Sequence, residues 1–294
     1  MGTQTAMMAN QTNNDEARCR TWHAVVSDFL AERNIKTTLS TPYGAHPRQK
    51  LDIYHARINP GSPPGPIAIF LYGGSWTSGE RACYSFVGSA LAARGITTVV
   101  PDYRLYPEVR YPAFNQDAAA AYAWVAQNLT QSRQQPLFLV GHSAGAHIAS
   151  LIAFDPSYLA EAGSASRPPS GLVAMSGPYG FDPTTWPTTK EIFATAPDTA
   201  APRPTSYVGA HCPPSLLVYG LKDDVVQAEN ARELRDLLQL AGADTRLIEY
   251  PALGHTGTIT SWLRFSRWRA SVLKECVAFI RAVAANHAAP IPSS

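Results

Sequence analysis

The segment GHSAG, residues 141–145, places a serine between two glycines. It follows an apolar run over 137–140 and precedes a run with helical character over 144–153. A sharp turn from a strand into a helix exposes the serine hydroxyl, and the helix N-terminus presents free N–H groups at the same point. This context predicts that Ser143 is a nucleophile, and a purely structural turn is the alternative.

A serine hydroxyl becomes nucleophilic at neutral pH when a neighbouring base removes its proton, and histidine is the usual base. Among the eight histidines, His255 follows a strand-like run over 245–250 and precedes the last helix-like run. A loop in that position would reach the carboxyl edge of a parallel sheet, where Ser143 is expected. We therefore predict that His255 is the base. His142 and His147 are expected to pack around the turn.

The base in turn needs a carboxylate that holds its tautomer and stabilises the imidazolium. Asp223 and Asp224 follow a strand-like run over 216–219 and lie between Ser143 and His255 along the chain. That order, serine then acid then histidine, is the one expected for a nucleophile on a strand-to-helix turn. We favour Asp223 because it falls on the first turn after the strand. Asp224 is the alternative, otherwise expected to cap a helix or face solvent.

Gly73 and Gly74 follow an apolar run over 67–71. A glycine pair can aim backbone N–H groups at a developing oxyanion without obstruction by side chains. We predict an oxyanion hole formed by the amides of Gly73, Gly74 and Ala144, the residue after the proposed nucleophile. A tight turn without this role is the alternative.

These residues need a frame that brings the ends of several strands to one edge. Strands and helices alternate along the chain, and most strand candidates are almost continuously apolar, which indicates a mainly parallel sheet with helices on both faces. The predicted strands cover 37–40, 51–55, 67–72, 97–101, 137–140, 172–175, 216–219 and 245–250. The predicted helices cover 22–34, 86–94, 113–128, 144–153, 228–241 and 271–285.

A proline-rich segment over 177–214 interrupts this alternation. We expect it to be a short lid-like insertion over the site, or else a plain surface excursion. Residues 1–18 are expected to form a flexible tail and 19–294 a single domain. Aromatic residues in the insertion or beside the glycine pair could line an acyl or aryl pocket, or form the core of the lid. They are Trp76, Trp186, Phe193 and Tyr207.

Composition excludes several classes of function. Lys and Arg number 24 against 22 Asp and Glu, and charged residues make up 16% of the chain, so a basic surface for nucleic acid is not expected. No apolar stretch reaches the length of a membrane span, about 18 residues, and the N-terminus resembles no secretory signal. We therefore predict a cytoplasmic protein. The four cysteines lie far apart, which favours reduced, mostly buried thiols.

Taken together, the motifs resemble those of the α/β-hydrolase superfamily. The resemblance is to the branch of hormone-sensitive-lipase-like carboxylesterases and arylformamidases, and it extends from about residue 43 to about residue 285. The motifs that carry it are YGGSW, PDYRLYPE, YPAFNQD, GHSAGAH, YGLKDD and GHTG. In that branch the residue before the glycine pair is usually His, whereas here it is Tyr72.

The resemblance implies an α/β-hydrolase fold. It also implies structural roles for the segment Asp102-Tyr103-Arg104-Leu105 and for Asp117, as groups that brace the loop beneath the site. The implied catalytic set is Ser143, Asp223 and His255, with Gly73, Gly74 and Ala144 as oxyanion donors. The residues themselves show no His, Asp or Cys spacing typical of metal ligands, and ester hydrolysis by this set needs no cofactor, so neither a metal nor a cofactor is expected.

The function expected from these residues is hydrolysis of a small carboxylic ester through an acyl-enzyme intermediate. One alternative keeps the triad and changes the bond to an N-formyl or other small amide, a thioester or a lactone. Another is a non-hydrolytic cyclase, lyase or binding protein of the same fold. The near balance of charge favours a neutral, partly apolar or aromatic small-molecule substrate, and the oligomeric state is left open.

Overall fold

The computed structural model describes residues 35–57 and 64–288. Within these ranges, eight strands form one sheet in the order β1-β2-β4-β3-β5-β6-β7-β8. The pairs β1–β2 and β2–β4 are antiparallel and the other neighbours are parallel. The strands are β1 (Thr37–Pro42), β2 (Lys50–Tyr54), β3 (Ile67–Leu71), β4 (Thr97–Pro101), β5 (Leu137–His142), β6 (Gly171–Met175), β7 (Ser215–Gly220) and β8 (Thr245–Tyr250).

Helices connect most of the parallel strands, whereas the segment between β6 and β7 contains one short 3-10 helix. The described α-helices are α1 (Ser85–Ala92), α2 (Ala113–Asn128), α3 (Ala144–Phe154), α4 (Pro156–Glu161), α5 (Glu229–Leu240), α6 (Gly257–Thr260) and α7 (Val272–Ala288). Short 3-10 helices cover Arg81–Tyr84, Pro204–Tyr207 and Arg267–Arg269. None of the helices in the described ranges is both long and apolar enough to cross a membrane.

The centre of the sheet forms the core. Every residue of β3, β5, β6 and β7 is buried, as is every residue of α3. Strands covered on both faces must be apolar throughout, which is why these runs do not alternate with polar residues. The core therefore holds rigidly the strand ends from which the site residues emerge.

The predicted fold class is confirmed, and the predicted elements agree closely with those observed. Three of them, 97–101, 113–128 and 245–250, have the predicted bounds. The short helices α4 and α6 were not expected, because each is too short to show a period. The predicted helix over 22–34 and tail over 1–18 lie outside the described residues, and the division into a tail and one domain stays a prediction.

The cysteine prediction is wrong at one position. Cys83 is disulfide-bonded, whereas Cys212 and Cys276 are free and buried as expected. Cys19 lies outside the described residues. Sequence spacing could not reveal the bond, because the partners of a disulfide are set by the fold and not by their separation along the chain.

Candidate active site

Ser143 lies on the sharp turn between β5 and α3. Its backbone has φ 54° and ψ −124°, a region that non-glycine residues adopt at a cost of about 1–3 kcal/mol. The flanking glycines make the turn possible. A Cβ at Gly141 would lie 2.4 Å from the carbonyl oxygen of Gly145, and one at Gly145 would lie 2.1 Å from that of Leu71. The Ser143 amide donates to the Met175 carbonyl at 2.9 Å, which ties the turn to β6.

The structure brings Ser143, His255 and Asp223 together. His255 Nε2 lies 2.8 Å from Ser143 Oγ, and His255 Nδ1 lies 2.8 Å from Asp223 Oδ2. The Asp223 side chain is fully buried, whereas Asp224 is exposed. Of the two adjacent carboxylates, Asp223 is therefore the one that contacts the histidine.

The environment of Asp223 keeps its carboxylate ionised. Burial raises its pKa, but hydrogen bonds from His255 and from the amides of Val225 and Val226, with the attraction of His255, outweigh burial and lower the pKa. Both amides donate to Oδ1 at 2.9 Å. An ionised Asp223 only accepts hydrogen bonds, so Nδ1 of His255 is the donor in this contact, and Nε2 is the ring nitrogen that faces the serine hydroxyl.

Two side chains hold the loop that carries His255. Its carbonyl accepts hydrogen bonds from His142 Nε2 and from Thr258 Oγ1, each at 3.0 Å. Ser176 Oγ in turn lies 3.1 Å from Thr258 Oγ1. Burial, together with the nearby His255, lowers the pKa of His142 to about 3, so this ring is neutral and donates from Nε2. Sequence reasoning expected His142 only to pack, and it missed Thr258.

The glycine pair lies beside the serine. A Cβ at Gly73 would lie 2.9 Å from Cβ of Ser143, so any larger residue at this position would collide with the turn. Gly74 has φ +138°, and its carbonyl accepts from the amides of Thr77 and Ser78 at 3.0 Å. Ala144 is the first residue of α3, and the first N–H groups of a helix have no partner within it.

The aromatic residues expected near the site separate into two groups. Trp76 and Phe193 are buried and contact edge to face, with ring centroids 5.0 Å apart. Tyr207 lies at the edge of the same cluster, since its hydroxyl and that of Tyr111 both donate to the Ala201 carbonyl. Trp186 is 58% exposed and lies on the surface of the insertion.

His147 joins α3 to the insertion. Its Nε2 donates to the carbonyl of Pro202 at 2.7 Å, and its ring meets Trp76 edge to face at 5.1 Å. Burial lowers the pKa of His147 to about 4, which keeps the ring neutral. This contact, together with the packing of Phe193, fixes much of the segment 177–214 against the core.

A second set of polar groups lies beneath the site. Asp117 is buried and accepts hydrogen bonds from the guanidinium and the amide of Arg104 and from the side chain of Gln49. Asp102 is likewise buried and pairs with Arg81. In the described ranges no three or more His, Cys, Asp or Glu side chains are grouped so that they could hold a metal ion.

Comparisons with known proteins identify a fold family and several esterases to which the chain is similar. Residues 68–203 match the profile of a family described as having the α/β-hydrolase fold. The esterase LipC of Mycobacterium tuberculosis is 30% identical over 234 residues, which are 72% of this chain and 58% of LipC. The isoprenylcysteine α-carbonyl methylesterase ICME of Arabidopsis thaliana is 28% identical over 240 residues, 74% of this chain and 56% of ICME.

Among solved structures, esterase B from Lactobacillus rhamnosis superposes with a TM-score of 0.80 at 20% identity, covering 97% of this chain and 98% of that one. At that identity the likeness establishes the fold alone. The alignments span 58% of LipC and 56% of ICME, so this chain matches little more than half the length of these relatives.

Proposed function

We propose that the chain, which belongs to the carboxylesterase branch of the α/β-hydrolase superfamily, is a serine hydrolase that cleaves small carboxylic esters. The observation that carries the proposal is the continuous hydrogen-bonded series from Ser143 Oγ through His255 to Asp223, with both distances 2.8 Å. The named relatives LipC and ICME are esterases, which supports the same class of reaction.

In the first half of the proposed reaction, Ser143 Oγ attacks the ester carbonyl carbon while His255 Nε2 takes the hydroxyl proton. The carbonyl oxygen becomes an oxyanion, and the amides of Gly73, Gly74 and Ala144 stabilise it. As the tetrahedral intermediate collapses, the bond to the alcohol oxygen breaks and His255 gives its proton to that oxygen. The alcohol leaves, and the acyl group remains on the serine.

In the second half, His255 Nε2 removes a proton from water, and the resulting hydroxide attacks the acyl carbon. The oxyanion forms again in the same place, the bond to Ser143 Oγ breaks, and the serine recovers its proton from His255. Asp223 stays ionised throughout and stabilises the imidazolium in each half. The carboxylic acid is the second product, and no cofactor is needed for this cycle.

The substrate is proposed to be neutral and small. The formal charge of the chain is +2, which gives no field for capturing a polyanion. Trp76 and Phe193 are buried near the glycine pair, and we propose that this aromatic cluster bounds the acyl or aryl pocket. A cytoplasmic location stays a prediction, and the disulfide at Cys83 counts against it, because disulfides persist mainly in oxidising compartments.

The test is hydrolysis of short-chain nitrophenyl esters by the full chain. Ser143→Ala should reduce kcat at least a thousandfold, whereas the exposed Ser166→Ala should leave it unchanged. Undiminished turnover by Ser143→Ala would overturn the mechanism. A substrate panel that includes N-formyl arylamines, thioesters and lactones identifies the type of bond that the protein cleaves best. If kcat/KM for one of these classes exceeded that for the esters, that class would replace the ester as the proposed substrate.

A further inference from the structure

The loop that carries the glycine pair covers 72–80, between β3 and the 3-10 helix Arg81–Tyr84. Both of its ends pack around one side chain, Tyr72. This residue is fully buried and directly precedes Gly73. Its ring stacks on Tyr84 and on Tyr103, with centroids 5.3 Å and 4.7 Å away. At the far end of the loop, a Cβ at Gly79 would lie 2.5 Å from Cε2 of Tyr72. The ring therefore packs directly against Gly79, near the end of the loop.

The Tyr72 hydroxyl is held by two charged groups. It donates to Asp102 Oδ1 at 2.7 Å and accepts from Arg48 Nη2 at 3.0 Å. The same guanidinium nitrogen donates to the Gly79 carbonyl at 2.8 Å, and Arg48 Nε donates to the Tyr103 carbonyl at 2.9 Å. One arginine thus joins the hydroxyl of the first residue of the loop to the backbone near its end.

Asp102 is itself held in place. Its Oδ1 also accepts from the amide of Arg81 at 2.7 Å, and its Oδ2 accepts from the Arg81 guanidinium. Arg81 Nε donates to Asp52 Oδ1 at 3.0 Å, which connects this group to β2. Burial, reinforced by Asp102, raises the pKa of Tyr72 well above its usual value, so the hydroxyl keeps its proton and remains a donor.

The backbone of Tyr72 is fixed as well. Its carbonyl accepts from the Tyr103 hydroxyl at 2.6 Å. The peptide bond is planar, so the direction of this carbonyl also sets the direction of the Gly73 N–H, which belongs to the same peptide unit. Hydrogen bonds therefore hold both the side chain and the carbonyl of Tyr72. That carbonyl shares a peptide unit with the Gly73 N–H, which is a proposed oxyanion donor.

From these contacts we propose that Tyr72 is a positioning residue of the oxyanion hole. Its hydroxyl, bound by Asp102 and Arg48, and its carbonyl, bound by Tyr103, together fix the direction of the Gly73 N–H. The inference rests on the proposed function, since it assigns Tyr72 to the same site. It also accounts for a tyrosine before the glycine pair, because the ring packs against Gly79 while the hydroxyl at its far end makes these two hydrogen bonds.

The test is Tyr72→Phe, which keeps the stacked ring and removes both hydrogen bonds. An oxyanion contact strengthens in the transition state, so a misdirected donor lowers kcat more than it changes KM. Complete loss of one donor typically costs about 100- to 1000-fold in kcat. We expect a smaller loss for a misdirected one, about tenfold in kcat with KM within twofold. The inhibition constant of an alkyl trifluoromethyl ketone, which forms an oxyanion on the serine, should rise by about the same factor.

Tyr122→Phe is the matched control. It also removes the hydroxyl of a buried tyrosine, but that hydroxyl bonds to the Arg167 carbonyl and not to the loop. This variant should lose stability while keeping kcat and the inhibition constant. A purely structural role for Tyr72 predicts the same pattern for Tyr72→Phe, namely a lower melting temperature with unchanged kcat and inhibition constant, and that result would overturn the inference.

Tyr103→Phe tests the carbonyl side of the same peptide and keeps the inference testable if Tyr72→Phe does not fold. It should also lower kcat at nearly constant KM, and wild-type kcat in this folded variant would count against the inference. The double variant should lose less than the product of the two single losses, because both act on one peptide. If the wild-type protein hydrolyses esters and neither variant alters kcat, the inference fails while the proposed function stands. Absence of wild-type hydrolysis would overturn the proposed function first.

Discussion

Two buried histidines, His142 and His147, should make the folded protein sensitive to mild acid. Burial lowers the pKa of His142 to about 3, with help from the neighbouring His255, and burial lowers the pKa of His147 to about 4. Each ring donates from Nε2 to a backbone carbonyl. A second proton on either ring would be buried away from water, so the folded state resists protonation.

The sign and the size of the effect follow from the difference between the folded and unfolded pKa values. In the unfolded chain both histidines titrate near 6.5. Above that pH neither state binds the extra proton, and stability does not depend on these groups. As the pH falls from about 6.5 toward the folded values, only the unfolded state takes up protons, and stability is lost. At pH 5 each histidine costs about 2 kcal/mol, about 4 kcal/mol together.

The assay is urea unfolding between pH 8 and pH 5. A loss of about 4 kcal/mol is a large fraction of the 5–15 kcal/mol typical of a domain, so the midpoint should fall steeply across this window. The double variant His142→Gln with His147→Gln should begin less stable but lose much less on acidification. His287→Gln, at an exposed position, should keep the wild-type dependence. The reasoning would be refuted if the free energy of unfolding of the wild type did not change down to pH 5. It would also be refuted if the double variant lost as much of that free energy as the wild type.

Two further predictions concern the acid and the turn. Asp223→Asn keeps the shape of the side chain but favours the wrong His255 tautomer, so kcat for ester hydrolysis should fall by about 10⁴-fold. In the adjacent Asp224→Asn, kcat should stay within twofold of the wild-type value. Equal losses of kcat in the two variants would contradict the choice of Asp223. Gly145→Ala would place a Cβ 2.1 Å from the Leu71 carbonyl, so denaturant unfolding should show a loss of more than 3 kcal/mol or no folded protein. Gly95→Ala meets nothing within 4 Å and should cost only about 1–2 kcal/mol through its φ of +81°; a similar loss in both variants would contradict the collision at Gly145.

The sequence predicts those parts of the site that depend on local patterns of residue type. Continuous apolar runs identified the buried strands, and the glycines around Ser143 identified a turn that only glycine-flanked residues can make. The positions of Asp223 and His255 followed from the rule that carboxyl ends of parallel strands share one edge. In the structure Asp223 is the carboxylate that contacts the histidine, and Asp224 is exposed.

The parts that sequence could not predict depend on contacts between distant segments. The residues that hold Tyr72, namely Arg48 and Asp102, come from separate elements, and no spacing signals that they meet. The disulfide at Cys83 is of the same kind. Within the insertion, Phe193 is buried and Trp186 is exposed although both are aromatic, because Phe193 packs against rings of α2 and α3 and residue type alone does not decide which one is covered.

The most direct test of the central claim is to locate the residue that becomes covalently modified. The full chain is treated with a fluorophosphonate, digested, and its peptides are analysed by mass spectrometry. We predict a single adduct on Ser143, absent from Ser143→Ala and formed at least a hundredfold more slowly in His255→Ala, because His255 activates the serine. An adduct on another residue, or labelling of Ser143 at the same rate without His255, would contradict the account.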